Sequence, residues 1–198
     1  VRLRPEHLSC YGLTLEPGTP LAADAEAGGL ELPTESEQGR MYIHGAEFLE
    51  EQGYLQYEIS SFARMGFQSR HNSGYWEGRD YLGLGPGAVS TLSGVRHENP
   101  RDVREWAALA KTGRCGAGGV ALTREERVRE YVMLSLRTAK GLRLSIYRRL
   151  TGIDFLKENE SLLTALRQKE LIRLNNGHLR LTKNGFLVSN LILERLRY

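Results

Sequence analysis

The most chemically versatile part of the sequence is a short run around position 73. It combines a guanidinium, an imidazole, a carboxamide and two aromatic rings in the residues Arg70, His71, Asn72, Ser73, Gly74, Tyr75 and Trp76. Such a set can ligate a metal, stack on a flat ligand and pair with carboxylates. A structural interpretation is also open, in which this run is a loop, Tyr75 and Trp76 fill the bottom of a core, and His71 bonds a backbone carbonyl.

A glycine-rich loop follows this run. Gly83, Gly85 and Gly87 alternate with other residues, and successive amides of such a loop can surround an anion. The spacing is not that of a dinucleotide-binding fingerprint, and Pro86 removes one amide donor from the loop. A tight turn at the end of a strand is the alternative interpretation.

Glu58 is a third candidate, on the polar side of a predicted strand with Gln56 and Ser60. In a closed barrel this side faces the lumen, where an ionised carboxylate needs a partner and becomes a candidate ligand-binding group. On an edge strand the same carboxylate is solvated.

The cysteines predict no metal site in this chain. Cys10 and Cys115 lie far apart, and neither has a cysteine or histidine at a metal-ligand spacing. Reduced, buried thiols are therefore favoured over a disulfide.

The composition indicates a packed protein without a membrane span. The chain has 198 residues, 40% of them hydrophobic, which is enough for one large domain or two small ones. The apolar runs, such as 191–193, are far shorter than the roughly 18 residues that cross a bilayer. Because the first residues also lack the features of a secretory signal, we expect a cytoplasmic protein.

Charge divides the chain into two parts. Residues 1–119 carry 11 Lys+Arg and 16 Asp+Glu, a net charge of −5, whereas residues 120–198 carry 16 and 8, a net charge of +8. This difference suggests two units joined in the glycine-rich stretch 112–119. The second unit could neutralise phosphates through Arg167, Lys169, Arg173 and Arg180. Its helix before the predicted hairpin has few base-reading groups, so nucleic acid is not favoured as a partner.

The elements that position the candidate residues alternate in the first part. Strand patterns over 7–15 and 54–62 flank a helix that begins with a capping box at Thr34 and Glu37 and ends before Gly53. A strand, a helix and a strand in this order predict a right-handed βαβ unit with parallel strands. The first part is therefore predicted to be α/β.

The second part changes to helices followed by a hairpin. A capping box at Thr123 and Glu126 begins a helix whose pattern ends near Gly141, and shorter helices are predicted over 145–150 and 160–169. Two alternating strands over 172–181 surround Asn176-Gly177, a dipeptide that tolerates positive φ at both central turn positions. With a final helix over 183–197, this order is that of a winged-helix-like unit.

Three runs of the sequence resemble the oxygen-independent coproporphyrinogen III oxidase-like radical SAM proteins. They are residues 57–63, 70–76 and 81–88, and the resemblance extends to 7–11, 16–20 and 181–190, so that it covers essentially the whole chain. The His-Asn-x-x-Tyr-Trp pattern formed by residues 71–76 is typical of the haem chaperone branch of this family.

The resemblance implies a fold and two cofactors. Residues 1–119 would be the C-terminal part of a partial (β/α)6 radical SAM barrel, and residues 120–198 a small winged-helix-like α+β domain. The intact protein would hold a [4Fe-4S] cluster and S-adenosylmethionine, but the three-cysteine loop that ligates the cluster has no counterpart here. The chain is therefore expected to be the C-terminal portion of such a protein and inactive as an enzyme by itself.

The resemblance also implies a haem site. His71 would be the axial ligand of the haem iron, Tyr75 and Trp76 would be stacking surfaces, Arg70 would lie near a propionate, and Asn72 belongs to the same motif. Candidates for the wall of a cofactor-binding cleft are Glu58, Ser73, Gly74, Gly85 and Gly87.

A haem chaperone that delivers haem to an apoprotein at the membrane surface is the leading hypothesis. The alternative is a coproporphyrinogen III oxidase, which oxidatively decarboxylates the propionates of a porphyrinogen by radical chemistry. Because half a barrel leaves a strand edge unpaired, we also expect a tendency to form homodimers or to aggregate.

Overall fold

The computed structural model describes residues 1–113 and 118–198, and Cys115 and much of the predicted unit boundary lie outside these ranges. The helices are α1 (Pro20–Glu26), α2 (Glu35–Glu51), α3 (Arg70–Trp76), α4 (Val103–Lys111), α5 (Arg124–Leu136), α6 (Leu144–Thr151), α7 (Phe155–Glu158), α8 (Glu160–Gln168), α9 (Lys183–Leu187) and α10 (Ser189–Arg195). The strands are β1 (His7–Ser9), β2 (Leu55–Glu58), β3 (Ser61–Ala63), β4 (Val89–Leu92), β5 (Val95–Glu98), β6 (Val120–Ala121), β7 (Leu142–Arg143), β8 (Ile172–Asn175) and β9 (His178–Leu181).

The first sheet has the strand order β1-β3-β2, and both pairs are antiparallel. Helix α2 packs Ala46 and Leu49 against Tyr54 and Phe62 of this part. The capping box predicted at the start of α2 is confirmed, because the Thr34 hydroxyl accepts from the Glu37 amide and the Glu37 carboxylate accepts from the Thr34 amide.

The predicted βαβ unit is wrong in its strand pairing. The expected strand 54–62 consists of two short strands, and β3 folds back between β2 and β1. The Ser60 amide donates to the Glu58 carboxylate at 3.1 Å, and the Ile59 amide donates to the Arg137 carbonyl at 3.0 Å. These bonds stabilise the turn between β2 and β3. Because β1 and β2 each pair with β3 in antiparallel fashion, they run in the same direction without being neighbours. The predicted first strand is also shorter, ending at Ser9.

The second sheet has the order β4-β5-β6 and is antiparallel throughout. Its strand β6 follows the undescribed segment 114–117 and pairs with β5 of the first part. The glycine-rich loop 81–88 leads directly into β4.

The third sheet has the order β7-β9-β8 and encloses the main core with helices α5 to α10. The predicted hairpin is confirmed, and Asn176 and Gly177 have φ values of +48° and +71°. Helix α5 ends at Leu136, earlier than its pattern suggests, and the predicted last helix is interrupted at Val188. The largest fully buried side chains of this core are Val132, Leu136, Leu142, Tyr147, Phe155 and Leu179.

The two parts of the chain are in direct contact. Tyr42 and Ile59 of the first part pack against the core of the second. The Ala139 amide donates to the Tyr57 carbonyl at 3.0 Å, and Lys183 forms an ion pair with Glu50 at 2.6 Å. Across the residues that the structure describes, no helix has both the length and the apolar character that spanning a membrane requires.

Candidate functional site

The candidate run 70–76 forms helix α3 instead of a loop. The Ser69 hydroxyl caps its start by accepting from the Asn72 amide at 3.2 Å, and Gly78 adopts a φ of +65° just after its end. A serine before the run and a glycine after it are ordinary signals of a short helix, and both are visible in the sequence.

Helix α3 separates the motif into two faces. With about 100° between successive residues, His71 and Tyr75 share one face of a helix, and Asn72 and Trp76 share a second face about 100° away from it. The contacts agree with this geometry. The exposed face contacts the loop around Tyr81, whereas the inward face lies against β2 and α5.

Asn72 joins the inward face of α3 to the first sheet. Its side-chain amide nitrogen donates to the Tyr57 hydroxyl at 3.0 Å and lies 3.4 Å from both the Glu58 carboxylate and the Ser61 hydroxyl. Asn72 is therefore a positioning residue, since all these partners belong to the protein itself.

A buried polar network continues from Asn72 into the sheet. Glu58 is only 2% exposed, and its carboxylate accepts from Asn72 and from the Ser60 amide. The His7 imidazole lies 2.8 Å from the Tyr57 hydroxyl, and the Ser9 and Ser61 hydroxyls are 3.1 Å apart. The solvated interpretation of Glu58 is therefore wrong. His7 and Tyr57 belong to the network although no local pattern indicates their pairing, because they are 50 residues apart.

The exposed face of α3 carries an aromatic ladder. The rings of His71 and Tyr75 meet edge to face with centroids 4.8 Å apart, and Tyr75 meets Tyr81 in the same way at 4.6 Å. His71 is exposed, and Tyr75 is 39% exposed. The ladder borders a recess of about 170 Å³, whose lining residues are Arg70, His71, Gly74, Tyr75, Arg79, Asp80 and Tyr81.

Trp76 lies away from this ladder. It is half-buried and lines the groove between α3 and the C-terminal unit, together with Ser73. Its indole N–H is buried and has no hydrogen-bond partner among the described residues. Tyr75 and Trp76, both expected to be stacking surfaces, therefore border different recesses, because adjacent helical residues point about 100° apart.

The glycine-rich loop forms a tight turn. The Gly83 amide donates to the Ser90 hydroxyl at 3.0 Å, and the Asn99 side chain donates to the Gly83 and Gly85 carbonyls at 3.1 and 2.9 Å. The Gly87 amide donates to the Pro100 carbonyl at 2.9 Å. These groups are used within the protein, so the structure favours the turn over an anion-binding loop.

The described residues contain no group of three or more His, Cys, Asp or Glu side chains arranged to hold a metal ion. Cys10 is exposed, so the expectation of a buried thiol is wrong for this residue. The search for such groups does not test a metal site in which a single imidazole, such as that of His71, is the protein's ligand.

Comparison with known proteins gives matches over the whole chain. Residues 122–188 match the family model of the HemN C-terminal domain. The heme chaperone HemW of Lactococcus lactis is 29% identical over 195 residues, which are 98% of this chain and 51% of that protein. The heme chaperone HemW of Bacillus subtilis is 33% identical over 189 residues, which are 95% of this chain and 50% of that protein. The chain thus spans about half the length of these curated relatives.

A solved structure shows the same fold. Coproporphyrinogen III oxidase (HemN) from Escherichia coli, a radical SAM enzyme, superimposes with a TM-score of 0.69 over 98% of this chain and 48% of its own. The two sequences are 21% identical, so this likeness concerns the fold alone.

Proposed function

The chain corresponds to the C-terminal portion of a HemN-like radical SAM protein of the haem chaperone branch, and from this premise we propose that it carries the haem-contacting face of a haem chaperone. The observation that carries the proposal is the exposed His71–Tyr75 face of α3, which the rest of the motif anchors. The whole protein would hold haem on this face and pass it to an apoprotein.

The residues of this face fit haem. Neither ring nitrogen of His71 forms a hydrogen bond with another described residue, so a nitrogen is free to ligate iron. Tyr75 and Tyr81 offer aromatic edges beside it, and Arg70 lines the same recess, as does Arg79, whose guanidinium group also pairs with Glu77. Guanidinium groups pair with carboxylates such as the propionates of haem.

The size of the recess limits how haem could bind. Sites that enclose a ligand of drug size have volumes of about 300–1,000 Å³, whereas this recess has about 170 Å³. We therefore propose that haem lies across the face and stays accessible on its other side. Such an open site suits a carrier that releases its cargo to an acceptor.

The [4Fe-4S] cluster and S-adenosylmethionine would be bound by parts of the whole protein outside this chain. A [4Fe-4S] cluster with one open coordination site needs three thiolates, and this chain contains two cysteines, so its residues do not fit the cluster. We propose that the whole protein supplies the cluster ligands and the S-adenosylmethionine site. In that protein, the first part would complete a partial barrel, and the C-terminal unit would be its winged-helix-like domain.

The oxidase alternative has less support. The HemW relatives are named haem chaperones, whereas the oxidase match rests on a fold shared at 21% identity.

A haemin titration followed by the Soret band tests the proposal. The chain should bind haemin saturably, and His71→Ala should weaken binding by at least about tenfold, because the axial bond is lost. His44→Ala, at an exposed histidine on α2, is the matched control and should bind as the unaltered chain does. Circular dichroism establishes that each variant is folded.

Two results would overturn the proposal. Equal haemin affinity and an equal Soret position in the chain and in His71→Ala would remove His71 as the ligand. Absence of saturable binding by the chain would show that this face does not hold haem.

A further inference from the structure

A groove lies on the side of α3 opposite to His71. It separates the inward face of this helix from the third sheet and encloses about 490 Å³, a volume typical of small-molecule sites. Ser73 and Trp76 of α3 line one side, and Arg143, His178 and Arg180 of the third sheet line the other. The residues 138–141 lie between the two sides.

The register of the third sheet aligns the basic groups. Arg143 of β7 is paired directly with His178 of β9, so the two side chains lie on the same face of the sheet. Arg180 follows His178 by two residues and shares that face, while Leu179 points into the core. Arg173 of β8 is paired with Arg180 and lies on the same face, but it does not line the groove.

These cations have no acidic partner within reach. Across the described ranges, Arg143 and Arg180 form no ion pair with a carboxylate within 4.0 Å. Glu77 is the one carboxylate that lines the groove among the described residues, and it is bound by both Lys140 and Arg79. The Arg180 Nε donates to the Lys140 carbonyl at 3.2 Å, so the groove offers a ligand the Arg143 guanidinium and the two terminal nitrogens of Arg180 without a competing carboxylate.

The same groove offers apolar and aromatic surface. Leu55, Trp76, Tyr131 and Ile146 line it, and the buried Trp76 N–H has no partner in the described part of the chain. Aromatic walls and paired guanidinium groups together suit a ligand with a flat body and carboxylates.

We propose that this groove binds a small organic anion, whose carboxylates pair with Arg143 and Arg180 and whose flat body lies against Trp76 and Tyr131. This site goes beyond the proposed haem face, because the two lie on opposite sides of α3. A nucleic acid is a poorer fit, since a phosphate chain needs an extended basic surface and this one is confined to a recess that also contains Glu77.

Isothermal titration calorimetry with 2,6-naphthalenedicarboxylate tests the proposal. The chain should bind this dianion saturably, and the neutral analogue 2,6-naphthalenedimethanol and inorganic phosphate should each bind at least about tenfold more weakly. Arg143→Gln should weaken dicarboxylate binding by about tenfold, the effect of losing one charge-assisted contact. The Arg143 side chain forms no hydrogen bond in the described structure, so this variant is expected to fold.

Two control variants distinguish binding in the groove from binding elsewhere on the chain. Arg173→Gln removes the same charge from the same sheet face outside the groove and should leave binding unchanged. His71→Ala should also leave it unchanged, so this proposal and the haem proposal fail independently. Three results would overturn the proposal. Arg173→Gln could weaken binding as much as Arg143→Gln does, the diol or phosphate could bind as tightly as the dicarboxylate, or the dicarboxylate could fail to bind.

Discussion

The side-chain amide of Asn72 donates to the hydroxyl of Tyr57 at 3.0 Å and thereby joins helix α3 to the sheet beneath it. The His7 imidazole contacts the same hydroxyl at 2.8 Å, so Tyr57 connects α3 to both β2 and β1. Because Asn72 and His71 are consecutive, this bond on the inward face also fixes the position of the His71 backbone in the exposed face. The motif therefore combines residues that hold the helix with residues that face outward.

We predict that Asn72→Ala lowers the free energy of unfolding by about 1–3 kcal/mol, because Glu58 and Tyr57 lose a buried donor. Urea denaturation measures this change. Ser73→Ala on the same helix is the matched control and should cost less than about 0.5 kcal/mol, since the Ser73 side chain forms no hydrogen bond with a described residue. Equal stability of Asn72→Ala and the unaltered chain would contradict the positioning role.

The helix starts were predictable because their signals are local. Thr34 and Glu37, and Thr123 and Glu126, satisfy each other within four residues, so their spacing in the sequence is sufficient to identify them. The hairpin turn at Gly177 was predictable for the same reason.

The fold of the first sheet was not predictable from alternation. Leu55, Tyr57 and Ile59 alternate with polar residues as one long strand would, yet the chain turns at Ile59. The turn depends on the Ile59 amide finding the carbonyl of Arg137, which lies 78 residues further along. A bond over that distance leaves no periodic signal in the sequence.

The candidate site was predicted in its members but not in its arrangement. His71 and Tyr75 do lie together, whereas Trp76 faces the other way and Glu58 belongs to an internal network. Recognising Ser69 as a helix cap would have separated the two faces, because helical geometry then follows.

Two glycines at helical positions should respond to alanine with opposite signs. A Cβ at Gly185 would lie 2.1 Å from the Leu171 carbonyl oxygen, a backbone atom that cannot move aside. Gly185→Ala should therefore destabilise the chain by at least about 2 kcal/mol. Gly45 in α2 has nothing within 4 Å of the added atom, so Gly45→Ala should stabilise the chain by about 0.5–1 kcal/mol.

Thermal denaturation of both glycine variants tests this pair. The melting temperature should fall for Gly185→Ala and rise for Gly45→Ala. If the melting temperatures of both variants shifted equally and in the same direction, the short distance between Gly185 and the Leu171 carbonyl would not be what requires glycine at this position.

The pair formed by Glu77 and Lys140 predicts a dependence of stability on pH. The hydrogen bond from Lys140, at 2.7 Å, holds the pKa of Glu77 below its ordinary value, and Arg79 acts in the same direction. A carboxylate with a lowered pKa in the folded state stabilises the fold above its unfolded pKa of about 4.3. This contribution is lost as the pH falls through the lower, folded pKa.

Urea denaturation between pH 7 and pH 3 measures this effect. At pH 7, Glu77→Gln should be less stable than the unaltered chain by up to about 1 kcal/mol, since the carboxylate is partly exposed. The two stabilities should converge as the pH falls below about 4. A difference that stays constant over this range would show that the charge of Glu77 does not contribute.

The contact between the two parts of the chain contains an ion pair in which each charged residue interacts unfavourably with the dipole of its own helix. Glu50 lies in the last turn of α2, and Lys183 begins α9, so each charge is unfavourable to the dipole of its helix. They form a pair at 2.6 Å, with both side chains about one-third exposed. The attraction between them therefore offsets two local penalties.

A double-mutant cycle with Glu50→Gln and Lys183→Gln tests this balance. We predict a favourable coupling energy of about 0.5 kcal/mol at low salt, which decreases in 1 M NaCl because partly exposed charges are screened. The double variant should be nearly as stable as the unaltered chain, since both helix ends lose an unfavourable charge. The contrary result is that the effects of the two single substitutions on the free energy of unfolding add up, with no change in 1 M NaCl. The ion pair would then not link the two parts, and the packing of Tyr42 and Ile59 against the C-terminal core would hold them together.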